Sequence, residues 1–548
     1  MEQKHAKNNF SPNDSVLKVF VTKNTYDYEN PWAAPTQHES SGSGFIIEGK
    51  RIVTNAHVVS NSSFIQVRKA GSSKKYKAVF RRVSHSIDLA ILESKLGDFF
   101  DNTTPLILGQ TPRVGDKVRA YGFPWGGDEM SLTEGVVSRI EMDHVYHSNG
   151  TVLACDMDTA ITNGNSGGPV MSTPGVDDNN VFNEPAVVGV VFQGRGSKEG
   201  GYMIAAQVLR KFISLDDLGE ELRIPELGIY TQILENWSFR KSLGLGTCEG
   251  ISDRPIVLSE NNPRSEENDE KSNSLCDTIF PDIQPEIKEG EIDGGIMVYK
   301  IADFSPVKYL LQKGDVLLQI DDFEIGENGT VEFRKGERTN WTYCIGQKCI
   351  GESVKLRFFR DGVYYTKTIK LDKTRKDIKH IGEKLYDVKP NYIIKAGFVF
   401  QPLTYNLYLA ISISTAVHAK TLGDRTIKNP GYVLMTKTLQ CDSTTGFDMT
   451  NEIVERVNGK NVHSLEDLLD AFKEGIEFRG CMIKNSKEIQ SSETLVSLQA
   501  NKIAIQEKQH FVELYGGTVI RIISSNLEED TRKITREYDI KETEFMGK

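Results

Sequence analysis

Three short segments of this chain carry side chains able to do nucleophilic chemistry. In Gly164-Asn165-Ser166-Gly167-Gly168-Pro169 a serine lies between glycines. Glycine permits backbone conformations closed to other residues. Successive N–H groups can then converge on one point, where an oxyanion forms during acyl transfer. A serine hydroxyl is a weak nucleophile at its own pKa and needs a histidine base held by a third group. His57 follows the β-branched run Ile52-Val53-Thr54, within Asn55-Ala56-His57-Val58-Val59. Asp88 is a lone carboxylate at the head of the apolar run Leu89-Ala90-Ile91-Leu92. A buried carboxylate in that position holds the imidazole tautomer and stabilises the imidazolium without taking the proton.

Each segment alone has a structural alternative: a flexible turn, a strand-end histidine, a strand-start cap. The order His, Asp, Ser is that of the chymotrypsin architecture, whereas subtilisins and α/β-hydrolases order the three differently. Other acids fit less well. Asp116 reads as a hairpin turn, Asp128 and Asp143 as polar loops, and Asp156 and Asp158 stand too close to the serine segment. His85 is expected to be solvated.

The wider motif set resembles the HtrA/Deg family of trypsin-like serine proteases. Its landmarks are Gly42-Ser43-Gly44-Phe45, Thr54 to Val59, Asp88-Leu89-Ala90, Gly122-Phe123-Pro124, Gly135-Val136-Val137-Ser138-Arg139 and Gly164 to Pro169. Asn328-Gly329-Thr330-Val331 with Phe333 to Arg338 looks like the first PDZ region of plant-type Deg proteases, found in plants and some protists. Ala396 to Thr404 and Val457-Asn458-Gly459 look like their second. The resemblance implies an ATP-independent endopeptidase acting on unfolded or damaged proteins, assembled as a homo-oligomer built from trimers. It implies an oxyanion hole from the N–H groups of Gly164 and Ser166, and no metal or organic cofactor. It places the substrate pocket at Ile161, Thr162 and Asn163 and on the strand with Val190 and Phe192. The resemblance also implies small or medium aliphatic residues before the scissile bond; no carboxylate stands at these positions, which argues against a preference for Lys or Arg. Phe192 either narrows the pocket or packs in the barrel. The competing functional reading is a latent protease serving mainly as chaperone or scaffold.

The elements that would position these residues are mostly strands. Short β-branched runs separated by glycine turns indicate barrels or a sandwich, and the triad order selects a pair of six-stranded barrels with the site between them. The expected fold is mainly β: a double-barrel protease domain followed by two small PDZ domains. A chain of 548 residues suggests roughly three or four domains. The expected divisions are a leader over 1–40, with one possible strand at Val16 to Val21, and a protease domain over 41–220. A first PDZ domain follows over 221–380, then a second PDZ-like domain over 381–526 and a charged tail over 527–548. The stretch 247–293 is rich in Glu, Asp, Asn and Ser, a composition that buries little apolar surface, and reads as a mobile insertion that either gates a peptide groove or is a tolerated surface loop. Leu243-Gly244-Leu245 resembles the loop that captures a C-terminal carboxylate. Ile296, Met297 and Val298 resemble the strand to which a peptide would add.

A net charge of -10 argues against a nucleic-acid partner. Seven cysteines cannot all pair, and Cys344 with Cys349 lacks the second pair a zinc site needs. No apolar run approaches the ~20 residues of a membrane helix, and the polar start Met1-Glu2-Gln3-Lys4-His5 has no secretory h-region. The expected compartment is reducing and cytoplasmic, with the nucleus or an organelle as the alternative.

Overall fold

The computed structural model describes residues 12–96, 98–173, 185–194, 200–245, 284–286, 294–412, 414–473, 476–477 and 508–547. The chain divides into two compact units. The first comprises Met1–Thr25, Gln37–Ile378 and Gly382–Asp387; the second comprises Tyr26–Thr36, Lys379–Ile381 and Val388–Lys548.

The first unit opens with two closed barrels. Strands β1 (Val16–Thr25), β2 (Thr36–Ile47), β3 (Arg51–Thr54), β4 (Ser62–Lys69), β5 (Tyr76–Ser84) and β6 (Leu89–Glu93) close in the order β1-β2-β3-β6-β5-β4. Strands β7 (Lys117–Gly122), β8 (Ser131–Val145), β9 (Gly150–Met157), β10 (Pro169–Ser172), β11 (Val187–Gly194) and β12 (Gly201–Ala205) close as β10-β11-β12-β9-β8-β7. Closure removes the unpaired edges that would invite association. Helix α1 (Ala56–Val59) follows β3 at the site, and helix α2 (Ala206–Leu218) follows β12. Gly219 ends α2 at φ 74, the left-handed C-terminal position that glycine fills without strain.

The expected leader is corrected here. Val16–Thr25 is a full barrel strand paired with β4 over Leu17 to Lys23. Leu17, Val19 and Val21 are buried on its inner face, and the first barrel cannot close without it.

The first PDZ region is a sheet in the same unit. Strands β13 (Ile229–Ile233), β14 (Gln284–Glu286), β15 (Ile296–Ile301), β16 (Val316–Ile320), β20 (Ser353–Arg360) and β21 (Val363–Lys370) run in the order β13-β15-β16-β20-β21-β14. Strand β17 (Phe323–Glu324) pairs with β16, and β18 (Thr330–Arg334) pairs with β19 (Glu337–Asn340) as a separate hairpin. Apart from β14, the acidic insertion expected over 247–293 lies outside the described residues.

The second unit holds a sheet of order β27-β28-β25-β24-β23-β22-β30, with β26 on β25 and β29 on β28. These strands are β22 (Tyr392–Lys395), β23 (Phe398–Pro402), β24 (Val433–Thr438), β25 (Glu452–Val457), β26 (Lys460–Asn461), β27 (Ile476–Glu477), β28 (Lys508–Leu514), β29 (Val519–Ile523) and β30 (Glu544–Phe545). The helix Leu465–Lys473 buries Leu465, Leu468, Ala471 and Phe472, the spacing of one helical face. The charged tail expected from 527 is also corrected. Ser524–Glu537 is helical, Ile534 and Ile540 are buried against Tyr392 and Ile394, and β30 pairs with β22. Leu527 and Phe545 of the same segment pack against this unit as well. No helix among the described residues is long and apolar enough to cross a membrane.

Candidate active site

Strand β3 ends at Thr54, and α1 carries His57 out of the first barrel. The turn from His85 to Asp88 closes through the Asp88 N–H donating to the His85 carbonyl at 3.2 Å. Asp88 takes φ 56, a left-handed conformation that aspartate tolerates better than most residues. Its own carbonyl accepts Asn55 Nδ2 at 2.9 Å and the Ala56 N–H at 3.2 Å. With the backbone pinned this way, both carboxylate oxygens reach His57. Oδ1 accepts the His57 backbone N–H at 2.7 Å, and Oδ2 stands 2.7 Å from Nδ1. The Asp88 side chain is 2% exposed and the imidazole 33%. A proton on Nδ1 facing the carboxylate leaves Nε2, on the accessible side, free to accept another. Lys23 Nζ donates to the His57 carbonyl at 2.7 Å, and burial lowers the pKa of this lysine.

The serine segment is held by backbone. A Cβ at Gly164 (φ 99) would lie 2.4 Å from the Phe123 carbonyl oxygen, and one at Gly167 (φ 86) 2.2 Å from that of Ser43. Only glycine fits either place. Ser43 clamps the loop: its Oγ donates to the Gly164 carbonyl at 2.7 Å and accepts the Phe123 N–H at 2.8 Å. Its own N–H donates to the Ser166 carbonyl at 2.8 Å, and Thr54 Oγ1 donates to its carbonyl at 2.7 Å. The Asn163 carbonyl accepts the Trp125 N–H at 2.7 Å. In a trans peptide C=O and N–H point opposite ways, so the Gly164 N–H is turned away from Trp125. Among the described residues, neither the Gly164 nor the Ser166 N–H has a hydrogen-bond acceptor, and Ser166 Oγ makes no hydrogen bond to His57. Substrate-free sites often leave that last bond long.

Of the expected pocket residues, Thr162 and Asn163 are exposed on the loop. Ile161 is buried against Gly201, where a Cβ would come within 2.4 Å of Ile161 Cγ1. Val190 is fully buried and paired with Pro169. Phe192 is 3% exposed with its ring 6.3 Å from Tyr202, so the packing alternative describes it.

Three expectations are corrected. Ile296, Met297 and Val298 lie on β15, which is paired with β13 on one side and β16 on the other. A strand filled on both edges cannot accept an added peptide strand; the edge of the sheet on this side is β13, with β14 at the other end. Leu243, Gly244 and Leu245 instead finish the short helix Trp237–Ser242, and Leu245 is buried with Leu234, Val316 and Phe359. His85 is not simply solvated: its Nδ1 lies 2.9 Å from His147 Nε2. Nothing in the sequence marks Lys23, Trp125 or His147 as part of the site; Ser43 and Asn55 stand within the motifs Gly42-Ser43-Gly44-Phe45 and Asn55-Ala56-His57, which do not disclose their hydrogen-bond roles.

A family profile described as a trypsin-like peptidase domain matches residues 42–176, and one described as a PDZ domain matches residues 381–544. The chain is 33% identical over 466 residues to the Arabidopsis thaliana "Putative protease Do-like 3, mitochondrial", covering 84% of this chain and 72% of that one. It is 34% identical over 460 residues to "Protease Do-like 4, mitochondrial" of the same plant, covering 83% and 76%. Against the "Serine protease DegP homolog" of Plasmodium falciparum it is 26% identical over 521 residues, covering 83% and 58%.

Proposed function

Since the chain belongs to the Deg, or Do-like, family of HtrA-type serine endopeptidases, we propose that His57, Asp88 and Ser166 are its catalytic triad. The observation that carries this reading is Asp88, which spends both carboxylate oxygens on His57 while buried. Ser166 Oγ attacks the scissile carbonyl carbon and its proton passes to His57 Nε2. The tetrahedral intermediate collapses as the imidazolium protonates the leaving amine, leaving an ester on Ser166. Water then attacks that ester with His57 again as base, and the acid product departs. The unpaired N–H groups of Gly164 and Ser166 take the oxyanion, at roughly 3–4 kcal/mol for each donor. Asp88 holds the tautomer and balances the imidazolium charge.

The substrates in this reading are unfolded or damaged proteins, cleaved without ATP after small or medium aliphatic residues. Ile161, an apolar side chain packed against Gly201, supports the aliphatic preference. The PDZ domains take peptide termini, and the enzyme works as a trimer-based homo-oligomer. An organelle is favoured over the cytoplasm, since two of its relatives bear mitochondrial names.

The test is digestion of casein by the purified chain against Ser166→Ala, with fragment ends mapped by mass spectrometry. Cleavage by the wild type alone, after Val, Ala, Ile or Leu, is expected. Equal cleavage by Ser166→Ala would remove the serine from the mechanism.

A further inference from the structure

His57 has a neighbour outside the triad. His147, in the turn between β8 and β9, places its ring centroid 6.2 Å from that of His57. Its Nε2 meets His85 Nδ1 at 2.9 Å, and His85 belongs to the turn that sets Asp88. The other face of His147 is covered by Tyr386, whose ring stacks on it at 3.9 Å with 20° between planes. The Tyr386 hydroxyl donates to the His147 carbonyl. The next residue, Asp387, forms a reciprocal pair with Asn61: each backbone N–H donates to the other's side-chain oxygen. Asp387 Oδ2 also lies 3.3 Å from His85 Nε2.

A connector between domains needs only length, and holding its backbone in one conformation costs about 1–2 kcal/mol per residue. Here Gly382–Asp387 is grouped with the protease unit although the residues on either side, Lys379–Ile381 and those from Val388, belong to the second unit. Asn61 at φ 56 and Asp387 at φ 59 both hold left-handed conformations, which Asn and Asp adopt more readily than other residues and which here aim each side chain at the other's N–H. So specific a fit, over a pair of histidines beside the catalytic one, is more than a tether requires.

We infer that Gly382–Asp387 is a strap over the His85–His147 pair beside the acid–base histidine, and that Tyr386 is a positioning residue which seals His147 against solvent. The inference rests on the role proposed for His57. His147 is 9% exposed. Burial above all, then His57, His85, Lys384 and Lys23, hold its imidazole far below the ordinary range. It is therefore neutral. The charged or titratable groups around it are Lys23 from β1, His57 from α1, and His85 from the turn before β6. The strap adds Lys384, Tyr386 and Asp387. With the strap seated, the imidazolium that forms on His57 meets no like charge on His147. With the strap lifted, water reaches His147 and lets it protonate. A second positive charge about 6 Å away then opposes the one catalysis creates.

The test uses the full chain, with phenylmethylsulfonyl fluoride as probe of serine reactivity and thermal melts to establish folding. Inactivation rates are followed from about pH 5 to about pH 8, the range in which histidines titrate. The wild type should lose reactivity on the acid side with a one-proton slope. Tyr386→Ala should react about tenfold more slowly near pH 6, with a slope above one. Tyr386→Phe, which keeps the stacked ring, should stay within about twofold of wild type. Adding His147→Gln to Tyr386→Ala should restore the one-proton slope. Asp387→Ala should shift the profile in the same sense by less. A wild-type profile in Tyr386→Ala would overturn the strap, as would a loss equal at every pH. Failure of the wild type to be labelled on Ser166 would instead sink the triad and the strap with it.

Discussion

The histidine half of the site and the serine half are held by different means. In the first, side chains do the fixing: Asp88 grips His57 twice, and Asn55 grips the Asp88 carbonyl. In the second, backbone groups do it. Gly164 and Gly167 fit where no other residue would, and one buried serine, Ser43, bonds the loop at Gly164 and Ser166 while also taking the Phe123 N–H. The first half is a local arrangement of polar side chains. The second depends on partners 121 and 80 residues apart along the chain. A perturbation of the first half should change chemistry more than stability. A perturbation of the second should change both.

The largest effect on that contrast comes from Asp88→Asn, which keeps the shape but loses the charge and tautomer control. A loss of about 10⁴-fold in kcat is expected, with KM little changed, measured by steady-state cleavage of a peptide substrate. Next is Ser43→Ala. It leaves the buried Phe123 N–H and Gly164 carbonyl without their partner, at about 1–3 kcal/mol. It should lower both the urea midpoint and kcat, the latter roughly ten- to hundredfold. If Ser43→Ala lost stability at full activity, the serine loop would not depend on its clamp.

A pH effect follows in size. The unfolded chain takes up a proton on His147 near pH 6.5, whereas in the folded protein burial keeps that imidazole neutral to far lower pH. Below about pH 6.5 the unfolded state therefore binds more protons, and stability falls as pH falls, by up to about 1.4 kcal/mol per pH unit from this group. The melting temperature of His147→Gln should depend on pH less steeply than that of the wild type between about pH 6.5 and pH 5. An equally steep dependence would mean that His147 is not held neutral. Smallest is Asp128→Ala. Lys18 Nζ reaches the Gly127 carbonyl at 2.8 Å and Asp128 Oδ1 at 2.9 Å, which anchors the loop bearing Trp125. Asp128 is well exposed, and exposed pairs contribute little, so kcat should fall only a few-fold, and less so at high salt, where the pair is already screened.

The same division decides what could be read from sequence. The His57, Asp88 and Ser166 segments stood out because each combines a reactive side chain with a local backbone signature. The glycines of the serine loop announced its tight turns, although the side chain that clamps them was not identified in advance. Strand β1 was half-seen, because its inward residues Val19 and Val21 alternate with Lys18 and Phe20. Nothing in those residues says that a barrel cannot close without them. Strand β15 was read as the peptide edge because pairing is not written into a run such as Ile296-Met297-Val298; β13, earlier in the chain, takes the edge position. His85 looked solvated because its partners, His147 and Asp387, lie far off in sequence.

The most direct measurement of the central claim is active-site titration with a fluorophosphonate, with the labelled peptide identified by mass spectrometry. Two separately held halves forming one nucleophile predict about one label per chain on Ser166 in the wild type, strongly slowed labelling in Asp88→Asn, and none in Ser166→Ala. Stoichiometric label on any other residue, or equal labelling of Asp88→Asn, would contradict it.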